Sequence, residues 1–247
     1  MTRTEKLTRE QLNQKIKKTS ERLYATIDES LELMFTSGDD WDEDSFSEFL
    51  EIMDAETVEK MRETALQLDT ENDDPEIFLM KNESTTALDL VTEPGDGFII
   101  ILIESDIHLT GNLFVEEYVT LIVMGDIKAK NIIVNGSLFS SGSLSCNVLF
   151  GASANDHQTY IEGNINTSLI AEYGQYTVSE SKIYSEYLLS THNTIEGRSG
   201  RLIENKALER GNEASILIPE ILDENGFFDE ESFLKYIEIK EPKSLFL

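Results

Sequence analysis

The chain has 247 residues, with 20 Lys and Arg against 48 Asp and Glu, a formal net charge of −28 at pH 7 and 40% hydrophobic residues. That apolar share is enough for a sizeable core, so the composition describes a folded protein with an acidic surface and not a disordered acidic polymer, and it argues against nucleic acid as a ligand because phosphates are repelled. A single cysteine, Cys146, rules out a disulfide within the chain, and the charged stretch Met1 to Lys18 with no later apolar run of bilayer length predicts a cytoplasmic protein without a membrane partner.

Three amphipathic helices are predicted first. Thr8-Arg9-Glu10-Gln11 reads as a capping box, so a helix starts near Arg9 and carries Leu12, Ile16, Leu23, Ile27, Leu31 and Met34 on one apolar face. A second box, Ser45-Phe46-Ser47-Glu48, opens a helix with Phe46, Phe49, Leu50 and Met53 on its inner side, and a third follows Asp54 with Val58, Met61, Ala65 and Leu68. The polar run Thr70 to Pro75 then separates an acidic helical subdomain, residues 1–74, from the remainder, residues 75–247.

Charge within the helical region is polarised. Met1 to Ile27 is basic in balance, whereas Asp28 to Glu76 holds nineteen carboxylates against Lys60 and Arg62. Asp39, Asp40, Trp41, Asp42, Glu43 and Asp44, continued by Glu48 and Glu51, read either as a solvated loop or as a partner-binding surface. In the second reading carboxylates steer a basic protein and the Trp41 indole anchors it. Asp40, Asp42, Asp44, Phe46, Glu48 and Glu51 also fall at calcium-loop positions, but Ser45 stands where the sharp turn wants glycine and Ser47 where an aliphatic residue is usual, so no metal or other cofactor is assigned.

From Phe98 onward the pattern changes to short β-branched runs, such as Val119, Leu121 and Val123. These are punctuated by a phrase of glycine, small polar residue and Leu or Ile: Gly111-Asn112-Leu113, Gly125-Asp126-Ile127, Gly136-Ser137-Leu138, Gly142-Ser143-Leu144 and Gly163-Asn164-Ile165. Each phrase closes a turn and sends one apolar side chain inward. Such coils cannot bury their apolar edge alone and must stack, which predicts a parallel β-solenoid with Leu113, Ile127, Leu138 and Ile165 in its core. The glycines lie 14, 11, 6 and 21 residues apart, so the coils are irregular, unlike the strict six-residue period of hexapeptide acyltransferases.

Beyond the coils, Gly197 to Arg201 reads as a loop, Ile216 to Ile218 as a short strand and Asn225-Gly226 as a turn. Asp229 caps a last helix, with Phe228 and Phe233 at the positions of a hydrophobic staple, and this helix is expected to plug one end of the solenoid. The fold class is thus mainly β with helical additions, an irregular parallel β-solenoid between an N-terminal helical subdomain and a short C-terminal helix. His108, His157 and His192 are scattered, and Asp156-His157 has no Ser or Cys nucleophile in its context, so the chain is not read as an enzyme.

The run Val119 to Asn131, then Asn135-Gly136-Ser137-Leu138 and Gly163-Asn164-Ile165, resembles the coils of bacterial polymer-forming β-solenoid proteins related to bactofilins. The segment Ile218-Pro219-Glu220-Ile221-Leu222-Asp223-Glu224-Asn225-Gly226 with its following helix is similar to members encoded beside polymorphic toxin genes. This resemblance implies an immunity protein whose partner is a cognate, basic toxin domain, with a bactofilin-like scaffold as the family's other function. Bactofilins carry short tails, whereas helices flank both sides of these coils, which favours a monomer or small oligomer.

Overall fold

The computed structural model describes residues 3–36, 74–81, 83–92, 97–153 and 157–247. The predicted second and third helices fall outside these residues. The β-solenoid is present, with about seven turns. It begins earlier and ends later than the glycine phrases indicate, because its first and last coils lack them.

One wall is a parallel sheet in the order β2 (Glu76–Lys81), β4 (Ile99–Ile103), β7 (Val119–Val123), β10 (Ser137–Ser140), β12 (Gln158–Ile161), β14 (Tyr176–Ser179) and β16 (Ile195–Gly197). The rest of each coil supplies two more walls. In the early coils these are separate strands, β5 (Ile107–His108) and β8 (Ile127–Lys128) for the second wall, β3 (Leu88–Leu90), β6 (Leu113–Val115) and β9 (Asn131–Val134) for the third. In the later coils one long strand runs through both: β11 (Leu144–Ala152), β13 (Ile165–Tyr173), β15 (Ile183–Ser190) and β17 (Arg201–Glu209). Thus β8 pairs with the start of β11 and β9 with its latter part. Ile165 points into the interior cluster, while Leu169, four residues on, belongs to an outer cluster. A straight strand would put both on one side, so the chain turns a corner between them, where the pairing skips Asn147, Ser168 and Glu186.

The interior is made of aliphatic columns, one residue per coil. Ile107, Ile127, Leu144, Ile165 and Ile183 stack in one, and Leu113, Ile132, Leu149, Ile170 and Leu188 in the next; all ten are buried. The four residues expected in the core are all there, but in three columns, since Leu138 stacks on Leu121 in the first wall. This explains the irregular glycine spacing. Gly125, Gly142 and Gly163 occupy one corner of successive coils, whereas Gly111 and Gly136 introduce other walls.

At that shared corner a polar ladder runs along the solenoid. Asp106 Oδ1 accepts from the Asp126 amide (2.8 Å), Asp126 Oδ1 from Ser143 (2.7 Å), Ser143 Oγ from Asn164 (3.2 Å) and Asn164 Oδ1 from Lys182 (3.2 Å). A Cβ on Gly125 or Gly142 would collide with the carboxylate oxygen of the preceding coil, so the glycine and the polar residue after it are two halves of one device.

At the N-terminus β1 (Arg3–Lys6) pairs antiparallel with β2. The long predicted helix is divided into α1 (Arg9–Ile16) and α2 (Glu21–Thr36). The capping box at Thr8 is formed, and Ser20 Oγ accepts from the Leu23 amide (3.1 Å) to start α2. The break re-aims the apolar face, so Leu12, Ile16, Leu23, Ile27 and Leu31 all pack on the outer side of the first wall, against Ile100, Leu102, Ile122, Phe139 and Tyr160.

The C-terminal segment corrects two expectations. Residues 216–218 are not a strand: α3 (Glu213–Ile216) ends there, and Leu217 makes only an isolated bridge to Phe246. The last helix, α4 (Glu230–Ile239), has the expected Asp229 cap, to the Ser232 amide at 2.9 Å, and the expected staple, with the Phe228 and Phe233 rings 5.2 Å apart. It does not plug the end of the solenoid, however. Phe228, Phe233 and Ile237 lie along the outer side of the third wall on Val148, Phe150, Leu169 and Leu189, an apolar stripe that only the folded coils create.

Replacing Ile127 by Asp places an unpaired carboxylate between Ile107 and Leu144 and is expected to cost several kcal/mol, read as a collapse of the thermal midpoint. Phe233→Ala is expected to cost about 3–5 kcal/mol in urea unfolding, through the cavity left beneath α4.

Candidate interaction surface

The residues singled out as a partner surface, Asp39, Asp40, Trp41, Asp42, Glu43, Asp44, Glu48 and Glu51, lie outside the described residues, and with them the calcium-loop spacing. Among the described residues no group of three or more His, Cys, Asp or Glu side chains converges as a metal site. His157 is buried with Nδ1 3.2 Å from Ser137 Oγ, while its sequence neighbour Asp156 is outside the described residues. Cys146 sits half-buried against the interior, and desolvation pushes its thiol well above the ordinary range, which makes it a poor nucleophile.

The walls differ in what covers them. The first carries α1 and α2, and the third carries the C-terminal segment. On the second wall the outward positions His108, Lys128, Ser145, Asn166, Tyr184 and Leu202 stand in register, one per coil. None of them belongs to a hydrophobic cluster among the described residues, and Tyr184 and Leu202 are 37% and 55% exposed. Tyr173, Tyr176, Tyr184 and Tyr187 differ in their surroundings. Tyr176 and Tyr184 are exposed, but Tyr187 stacks on Phe246 at 4.7 Å and Tyr173 packs edge-on to His192 at 4.7 Å and beside Phe228.

Two carboxylates hold the framework. Glu172, fully buried at the corner after the third wall, accepts from the amides of Gly174 (2.8 Å), His192 (2.9 Å) and Asn193 (2.9 Å) and from Ser190 Oγ (3.0 Å). Glu180 bonds Arg22 of α2, Arg198 and the Tyr160 hydroxyl at once, tying the helical layer to the coils. Burial alone would raise its pKa, but the hydrogen bonds from Tyr160 and Arg22 and the charge of Arg198 outweigh burial and hold it below the usual carboxylate range. Burial, then the bond to Glu180, pushes the Tyr160 phenol upward.

The two ends of the solenoid differ as well. At the first coil, antiparallel β1 occupies the outer edge of β2. At the last coil β17 is the terminal strand of its sheet, pairing with β15 alone among the described strands. There the aliphatic columns stop: Arg201 stacks on Ile183, Ala207 on Leu188, and Glu209 on Ser190. Arg201 spans the end of the core, bonding the Ile195 carbonyl (3.0 Å) and Glu209 (3.1 Å). A bulge in β17, where Glu204 and Asn205 fall opposite Glu186, twists the edge further.

No protein-family model, curated protein or solved structure matches this chain. The surface is therefore read on its own chemistry.

The Glu180 anchor has a defined pH signature. Its folded pKa is depressed, so its contribution is complete above the unfolded carboxylate value of about 4.3 and is lost as pH falls through the lower folded value. The thermal midpoints of the parent and Glu180→Gln are expected to differ most at neutral pH and to converge in acid.

Proposed function

We propose that the chain is an immunity-type binding protein that neutralises a basic toxin domain by covering its working surface. The observation that carries this reading is the charged last coil, considered with the net charge of −28. A scaffold polymer needs coil to stack on coil from one copy to the next. Head-to-tail stacking here would set the inward Arg201 and Glu209 against the apolar first coil, and inward charge on an edge strand is a common device against such pairing. Antiparallel β1 interrupts the parallel register at the other end. A solenoid closed against propagation works through its sides, and an acidic surface favours a basic partner, whose encounter it accelerates. The scaffold remains the alternative function, and it requires filaments.

Light scattering is expected to find a small discrete species at micromolar protein, and filaments in negative stain would reverse the order of the two functions. In a co-expression survival assay against a cognate toxin, the triple variant Asp40→Asn, Asp42→Asn and Asp44→Asn is expected to slow association, most at low salt, because charges more than about 8 Å apart are screened at physiological ionic strength. Trp41→Ala is expected to speed dissociation, by roughly 2 kcal/mol of lost binding. If neither variant alters binding or protection, the partner surface is elsewhere, with the uncovered second wall around Tyr184 as the next candidate.

A further inference from the structure

The terminal strand β17 is self-complementary when read against itself in the opposite direction. We propose that it joins two copies of this chain tail to tail in a closed, two-fold dimer. With Asn205 on the axis, Arg201 of one copy stands opposite the partner's Glu209, and Glu204 opposite the partner's Lys206. Symmetry repeats each pair, giving four cross-strand pairs of opposite charge. Leu202 meets the partner's Leu208, and Ile203 meets the partner's Ala207.

The pairing also respects the faces of the strand. Arg201, Ile203, Ala207 and Glu209 stack on the inward column positions of β15, whereas Leu202, Lys206 and Leu208 stack on its outward ones. Opposite residues in an antiparallel pair share a face, and every match above joins inward to inward or outward to outward. The corner and bulge of β17 lie at Glu204 and Asn205, the centre of the palindrome, so the bend of one strand coincides with that of its mate.

Three further features favour this occupant. Half-buried Ile203 and exposed Ala207, the open end of the apolar interior, become covered by their counterparts. The Arg201–Glu209 pair within each chain is exposed, at 32% and 52%, and exposed ion pairs add little stability, so exchanging the two pairs of two separate copies for two pairs between copies sacrifices little. The strand itself carries two positive and two negative residues, and its charge is neutral in a chain of −28. An isologous contact uses up the surface it is made from, and antiparallel β1 covers the β2 edge at the other end, so assembly stops at two.

Sedimentation and light scattering of the full chain test the pairing by charge. One variant carries Glu204→Lys with Glu209→Lys, the other Arg201→Glu with Lys206→Glu. The parent is expected at twice the chain mass of 28.0 kDa, each variant alone at the single mass, and an equal mixture of the two variants at the double mass again. Hydrogen exchange on the parent supplies a second measurement that needs no variant: the β17 amides that face away from β15 are expected to be protected at micromolar protein and to lose protection on dilution. A monomeric parent, variants that dimerise alone, a mixture that stays monomeric or outer-edge β17 amides indifferent to dilution would each overturn the proposal. A monomer would leave the toxin-binding function untouched, since that rests on the sides of the solenoid.

Discussion

The structure depends on one constraint, that each coil must lie in register on the coil before it. The aliphatic columns are buried only because successive coils deliver an Ile or Leu to the same point, as Ile107, Ile127, Leu144, Ile165 and Ile183 do. The corner ladder from Asp106 to Asn164 enforces that register with directional bonds to backbone amides, while burial alone would tolerate slippage. The hydrophobic term thus supplies the drive to stack, and the corner decides where each coil sits.

Stacking then creates the surfaces on which everything else is built. Once coils are in register, outward residues also form columns, and on two walls those columns are apolar. Val119 to Val123 is buried at every position because its inward residues face the core while Thr120 and Ile122 lie beneath the helical layer. The helices answer with matching faces, and Glu180 fastens α2 to the coils with a carboxylate shared by two arginines and a phenol. The C-terminal segment answers in the same way on the third wall, through an aromatic cluster of Phe150, Phe228 and Phe233. Among the described residues both helical appendages are therefore side layers, and the last coil has to manage its own end.

That management bears on the proposed function. A parallel solenoid with aliphatic ends would invite endless addition, whereas this one ends in Arg201 and Glu209 at inward positions and begins with a reversed strand. The same charges that oppose a parallel neighbour match an antiparallel one, so a single strand separates propagation from closure. The proposed binding function would then use the sides, where the second wall exposes Tyr184 and Leu202.

By itself the sequence determined what near neighbours decide. The capping box at Thr8, the cap at Asp229 with its phenylalanine staple, the turn at Asn225-Gly226 and the aliphatic residue after each corner glycine all involve groups a few residues apart, whose geometry follows from residue type. Only the tertiary structure decided what depends on register between residues a coil apart. It placed Leu113, Ile127 and Leu138 in three separate columns, broke one apolar helical face into two helices to suit the first wall, laid α4 along a side instead of over an end, and set Arg201 beside Glu209. The coil length varies, with 17, 21 and 18 residues separating Ile127, Leu144, Ile165 and Ile183, so no fixed period in the chain marks which residues will meet. Those meetings follow from the summed burial of all the coils, which no local pattern encodes.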